Sequence, residues 1–259
     1  PQLMPKFWLQ EQAEETMENL LAEIAALRTA SSGLPGALFF ARLHEVVSTG
    51  MEIYLVLDRI QGRELFHVLD EHALPVELAK ELTRQLLKAV AALHAVCVVH
   101  RDIKPENLMV SIPKDADGKV SNDPSRAQIF LIDFGWAGVT PTPGAATLVE
   151  LAGSPGYCAP EVFAWMSDED DAVEPPPYSS ACDVFSCGVT VYIMLSRDMP
   201  YSDTDDPALV PLTFTGAVWR QQDLASSKDF IRALCAVLPT KRPTAQQALE
   251  MYQLVDYAC

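Results

Sequence analysis

From residue 11 to residue 30 the apolar positions Met17, Leu20, Leu21, Ile24 and Leu27 recur at helical spacing, and the Ser31-Ser32-Gly33 run stops the pattern, which predicts an amphipathic helix. On its wheel Glu11, Glu14, Glu15 and Glu18 share the outer face and one flank, whereas Glu23 stands on the opposite flank beside Leu27. Residues 37–47 and 51–60, rich in β-branched and aromatic side chains such as Phe39, Ile53, Tyr54 and Val56, predict a hairpin turning at Ser48-Thr49-Gly50. Pro75 then opens a long helix to about Ala95, striped by Leu78, Leu82, Leu86, Val90 and Leu93, because proline suits a first helical turn. The remainder reads as mainly helical and loop-rich. Val184 to Leu195 is the longest apolar stretch, but Ser186, Gly188 and Thr190 interrupt it and it is too short to span a bilayer, so it predicts a buried core helix.

Two polar stretches punctuate this order. Residues 111–128 separate the apolar segments Leu108-Met109-Val110 and 129–132 and predict a surface insertion; its Asp115, Asp117 and Gly118 lack EF-hand spacing and predict a turn. Residues 167–174, acidic and followed by three prolines, predict a solvated loop.

Composition narrows the classes. With 259 residues, 49% of them hydrophobic, the chain can bury a full core as one domain or two packed lobes. Its net charge of −16 argues against nucleic acid as a partner and favours basic peptides. No membrane span and no secretory leader are visible, and six scattered cysteines without metal or redox spacing suit free thiols in a reducing, intracellular and most simply cytoplasmic setting.

The chemistry lies in three motifs. His100-Arg101-Asp102-Ile103-Lys104-Pro105-Glu106-Asn107 follows the long helix, Asp133-Phe134-Gly135 follows the insertion, and Ala159-Pro160-Glu161 comes third. Together and in this order they resemble the catalytic loop, the metal-binding tripeptide and the end of the activation segment of eukaryotic-type protein kinases. Lys104, together with Gly153-Ser154-Pro155-Gly156-Tyr157, resembles the serine/threonine branch. Gln61 to Phe66, Tyr192 to Ser196 and Lys241-Arg242-Pro243-Thr244 are similar to calmodulin-dependent and calcium-dependent kinases, although Trp136 after Asp133-Phe134-Gly135 also occurs in aurora-type kinases.

The resemblance implies an α+β, two-lobed protein-kinase-like fold: an incomplete, β-rich small lobe over residues 1–57, a hinge at 58–62 and a mainly helical large lobe over 63–259. It implies ATP and Mg2+ as cofactors. Asp102 would orient the substrate hydroxyl and take its proton, Lys104 would face the transferred phosphoryl group, and Asn107 and Asp133 would hold the metal. Adenine would pair with backbone groups of Asp58 to Ile60, with Leu57 behind it and Met109 also lining the nucleotide site. Glu64 and Glu106 would receive an arginine upstream of the phosphorylated residue, giving basic R-x-x-S/T substrates. Arg101 would contact the activation segment, Asp183 would anchor the catalytic loop, Glu161 would pair with Arg242, and His100, Phe134, Leu27 and Leu43 would stack in one internal column. Glu150, which precedes Ser154 where many kinases carry a phosphothreonine, would supply Arg101 with a permanent negative charge. A regulatory partner is compatible with the resemblance, but no residue specifies one.

The family pattern breaks at the start. The first glycine is Gly33, so the glycine-rich loop that covers ATP phosphates is absent, and the chain is expected to begin at or just before the third small-lobe strand, N-terminally truncated. Lys6, beside Pro5, is then the candidate phosphate-pairing lysine for Glu23. Two readings stay open: an ATP-dependent serine/threonine kinase, and a truncated pseudokinase acting as a binding or regulatory module.

Overall fold

The computed structural model describes residues 13–31, 39–49, 52–112, 123–166, 175–221 and 224–256. Its first helix, α1 (Ala13–Ser31), buries Leu20, Ile24 and Leu27 with Ala26 and Ala30. Leu21, expected on the same stripe, is 57% exposed: Leu20, Ile24 and Leu27 set the stripe, and Leu21 lies about 100° off Leu20.

The hairpin forms with shorter strands than its apolar runs suggest, β1 (Leu43–Ser48) and β2 (Ile53–Leu57), paired antiparallel with a bulge between Leu43 and Glu45. Thr49 closes the turn, its N–H donating to Glu52 O at 2.8 Å and its hydroxyl accepting from Glu52 N at 2.9 Å. Upstream the chain leaves the hairpin because Phe40 is taken by another partner: it makes a parallel bridge with Leu131, and its ring meets Phe134 edge-on at 6.0 Å.

A three-stranded antiparallel sheet follows, ordered β3 (Arg63–Glu64), β5 (Leu108–Ser111), β6 (Gln128–Leu131). The apolar segments on either side of the insertion are therefore two paired strands. The predicted turn at Asp115 to Gly118 and the acidic segment 167–174 lie outside the described residues. Gln85 fixes the re-entry of the chain, donating to Ala127 O and accepting from Ile129 N, both at 2.9 Å.

The large lobe is helical, with α2 (Leu65–Glu71), α3 (Val76–Ala95), α4 (Pro160–Met166), α5 (Ala181–Ser196), α6 (Ala225–Leu234) and α7 (Ala245–Asp256). Pro75 stands at the N-cap of α3, its carbonyl accepting from Ala79 N at 3.0 Å, and Leu78, Leu82, Leu86, Val90 and Leu93 are all buried. Each such leucine contributes roughly 1.5–3 kcal/mol relative to exposure. α5 is buried continuously from Cys182 to Met194, as a central core helix must be. Gly188 permits this, since a Cβ there would stand 2.5 Å from Cys235 Sγ and 2.8 Å from Leu234 Cβ. Among the described residues no helix is long and apolar enough to cross a membrane. One hydrophobic core runs from Leu27 and Phe40 through Phe134 into α3 and α5, so the small sheet-containing lobe rests on the helical lobe through the segments that carry the motifs.

Candidate active site

The two-residue strand β4 (Val98–Val99) pairs with β7 (Gly138–Val139), and the loop from His100 to Lys104 leaves this ribbon toward a short 3-10 turn at Pro105–Asn107. The path is strained: Arg101 and Asp133 both adopt positive φ, 69° and 62°, which costs a non-glycine residue of order 1–3 kcal/mol. Asp183, buried in the first turn of α5, holds the loop in place. Its Oδ2 accepts from His100 N at 2.8 Å and its Oδ1 from Arg101 N at 2.7 Å, while His94 Nε2 lies 2.8 Å from Oδ2. Burial pushes the Asp183 carboxyl up, but the His94 contact and the His100 amide outweigh it and leave the carboxyl below its ordinary range.

Asp102 is the centre of the site. Its Oδ2 accepts from Asn107 Nδ2 at 2.8 Å and pairs with Lys104 Nζ at 2.9 Å, and its Oδ1 accepts from Ser154 Oγ at 2.8 Å. Lys104 Nζ also donates to Ser154 Oγ at 2.5 Å. Ser154 was not assigned this part from sequence; its position just ahead of Ala159-Pro160-Glu161 was the available signal. Asn107 spends both amide hydrogens on Asp102, on its carboxylate and its carbonyl, which leaves its own Oδ1 for another ligand. Ile132 N donates to Asn107 O at 2.9 Å and so docks Asp133 beside the loop. Asp133 is exposed, with its Oδ1 accepting from Gly135 N at 3.1 Å.

These oxygens suit a hard divalent cation. Among the described residues no three of His, Cys, Asp and Glu converge on a metal. Two protein oxygens supplemented by phosphate and water are what Mg2+ commonly uses.

Behind the loop His100 is fully buried, and desolvation pushes its imidazole below the ordinary value, so it is neutral. Its Nε2 lies 3.1 Å from Ile132 O and its ring 5.1 Å from that of Phe134. Leu27 belongs to the same core and Leu43 packs against it; Phe40, whose ring touches Phe134, escaped the sequence reading.

Arg101 turns the other way, its side chain only 4% exposed. Both terminal nitrogens reach Glu150 Oε2 at 3.1 Å, and Nε donates to Trp136 O. Tyr178 bridges the group, donating to Glu150 O at 2.6 Å, while Tyr178 and Leu148 exchange backbone hydrogen bonds of 2.8 and 3.2 Å. Burial would lower the Arg101 pKa, yet Tyr178 and Glu150 more than offset it, so the guanidinium stays charged. Glu161 accepts from both terminal nitrogens of Arg242 at 2.7 Å, a bidentate pair.

Leu57 is half-buried against the core; Asp58 N–H donates to Arg42 O at 2.9 Å, and its Oδ1 accepts from His44 Nε2 at 2.6 Å. Ile60 and Met109 are half-buried, Met109 standing opposite Glu64 on one side and Phe130 on the other. The Glu64 carboxylate is 3.3 Å from His67 Nε2, whereas Glu106 Oε2 is buried without a hydrogen-bond partner. Glu23 is half-buried on α1, and Lys6 lies outside the described residues.

Known proteins share this arrangement in sequence. The chain is 35% identical over 245 residues to calcium/calmodulin-dependent protein kinase type 1B of Rattus norvegicus, covering 92% of this chain and 62% of the relative. It is 33% identical over 243 residues to the type 1 enzyme of Caenorhabditis briggsae, covering 92% and 60%. For the type 1 enzyme of Macrobrachium nipponense the identity is 35% over 215 residues, covering 80% and 55%. The chain thus spans about three-fifths of the length of these curated relatives. The family model described as the protein kinase domain matches residues 4–253, a range that contains the Asp102 cluster, Asp133 and the Glu161–Arg242 pair, and the chain belongs to that family.

Proposed function

We propose that the chain is a serine/threonine kinase that transfers the γ-phosphoryl group of ATP to Ser or Thr in basic R-x-x-S/T peptides. The observation that carries this reading is the Asp102 carboxylate. An ionised carboxylate offers about four acceptor sites. Asn107, Lys104 and Ser154 occupy three, which leaves one for an incoming hydroxyl.

Residues 1–57 and 63–259 act as the two lobes around the nucleotide, with 58–62 as hinge. Since Asp58 N–H is spent on Arg42 O, adenine pairing falls to Asp58 C=O and Ile60 N–H. Leu57 and Met109 flank the base. Asn107 Oδ1 and Asp133 hold Mg2+, and Glu23 with Lys6 serves the phosphates. Bound MgATP supplies the electrophilic phosphorus and neutralises phosphate charge. Asp102 orients the substrate hydroxyl and accepts its proton, while Lys104 keeps a positive charge where the phosphoryl oxygens pass. Five free cysteines among the described residues suit an intracellular, reducing compartment.

Glu64 and Glu106 take the arginine, and the buried Oε2 of Glu106 without a donor supports this, because such an oxygen is costly until a cation reaches it. The test is magnesium-dependent transfer from labelled ATP to an R-x-x-S peptide and to its alanine counterpart. The arginine peptide is expected to be preferred at least about tenfold, with Glu106→Gln removing most of that preference. Equal use of both peptides would refute the basic-substrate reading.

Glu150 keeps the activation segment ordered without phosphorylation. Glu150→Gln, which preserves shape but removes the charge facing Arg101, is expected to lower kcat about fivefold to tenfold. Unchanged turnover in a steady-state assay of the variant would remove Glu150 from this role.

A further inference from the structure

The β1–β2 ladder runs into Asp58, the first residue of the 58–62 hinge. Asp58 N–H still donates to Arg42 O at 2.9 Å, and from there to Gln61 the chain belongs to no helix or strand. Just before that rung the register shifts: Leu43 faces Leu57 while Glu45 faces Val56, so His44 is the extra residue of a β-bulge. A bulge leaves its extra residue without a cross-strand partner, bends the strand and re-aims a side chain. Here the side chain it re-aims reaches the hinge, with His44 Nε2 2.6 Å from Asp58 Oδ1.

The polarity of that contact is set by Asp58. The His44 hydrogen bond, followed by the charge of His44 and the amide and charge of Arg42, outweighs burial and holds the carboxyl below its ordinary range. An ionised carboxylate can only accept, so His44 Nε2 carries the donated hydrogen. The two side chains are 46% and 52% exposed, and a pair at that exposure adds little to global stability. Its effect is local. The N–H of Asp58 is tied to Arg42 and its carboxylate to His44, so two of the groups on its α-carbon are held to β1 and the carbonyl carbon cannot move independently of the strand.

We infer that His44 is a positioning residue for nucleotide binding: through Asp58 it holds the hinge carbonyl where the exocyclic amino group of adenine donates to it. The inference rests on the kinase reading above, with adenine paired to Asp58 C=O, and adds to it a residue that itself touches no nucleotide.

The experiment measures steady-state transfer to an R-x-x-S peptide from MgATP and from the Mg2+ complex of purine riboside triphosphate, which lacks the exocyclic amino group. In the unmodified protein the KM for ATP is expected to be about fivefold to tenfold the lower, the worth of one hydrogen bond. His44→Ala should raise the KM for ATP about fivefold, while the KM for the purine analogue and the kcat for each nucleotide stay within about twofold of their unmodified values. His44→Gln, whose amide can donate to the same carboxylate, should recover most of the preference for ATP. A merely structural role for His44 would not give this pattern, because a loosened small lobe weakens both triphosphates alike. An ATP preference that survives His44→Ala, or a KM that rises equally for both nucleotides, would overturn the assignment while leaving the kinase reading intact. Equal KM for the two nucleotides in the unmodified protein would remove adenine pairing at Asp58, and His44 with it, from a chain that still transfers phosphate. Absence of transfer from either nucleotide would overturn the kinase reading and this assignment with it.

Discussion

Asp102→Asn is expected to lower kcat by about a thousandfold, within the range a positioned general base supplies, with little change in the KM for peptide. The substitution is nearly isosteric, and the surrounding donors can accommodate it. An amide oxygen at the Oδ2 position still accepts from Asn107 and Lys104, while the amide NH2 faces Ser154 Oγ, which can accept as readily as donate. What is lost is the acceptor of the substrate proton. The melting temperature should therefore move by only about 2 °C, the equivalent of less than 1 kcal/mol in a chain of this size. Retention of more than about a tenth of the activity would mean that positioning alone carries the transfer and that Asp102 is not the base.

Much of this architecture was legible in the sequence because it is locally encoded. Pro75 and the leucine stripe set α3 to within a residue, and the polar run between two apolar segments marked the β5 and β6 flanks. Asp102, Lys104 and Asn107 fall on one short loop, so their convergence needs no long-range information. What was not legible depends on contacts between distant segments. Ser154 reaches Asp102 only because the segment before Ala159-Pro160-Glu161 folds back over the loop, and nothing in its own neighbourhood encodes that. Tyr178 joins Glu150 to Arg101 for the same reason. Phe40 lies in a run that reads as a strand, yet its ring is claimed by Phe134, so tertiary packing overrides β propensity there and shortens the predicted strand. Asp183 is intermediate: resemblance assigned it the loop, but a carboxylate accepting two successive amides is a property of the folded path between β4 and α5.

The second large effect falls on stability. Breaking the Glu161–Arg242 pair is expected to cost about 3–5 kcal/mol and to lower the melting temperature by roughly 10 °C. The Arg242 side chain is 0% exposed and that of Glu161 17%, so neither charge can turn to water when its partner is removed. The two ends are not equivalent. Arg242 also donates to the carbonyls of Ala181, Ala236 and Val237, at 3.0, 2.7 and 3.0 Å, and its guanidinium lies 5.1 Å from the centre of the Phe185 ring. Glu161→Ala leaves the cation these partial partners, whereas Arg242→Ala strips a donor from three carbonyls and leaves a carboxylate unpaired, so Arg242→Ala should be the more damaging. The double variant should cost less than the sum of the two, by about 1–3 kcal/mol of coupling. Because the pair is shielded, salt should change these differences little, in contrast to an exposed ion pair. Thermal and urea melts of the four proteins provide the check, and a Glu161→Ala protein melting within about 3 °C of the unmodified chain would show that the carbonyls and the Phe185 ring suffice to hold Arg242.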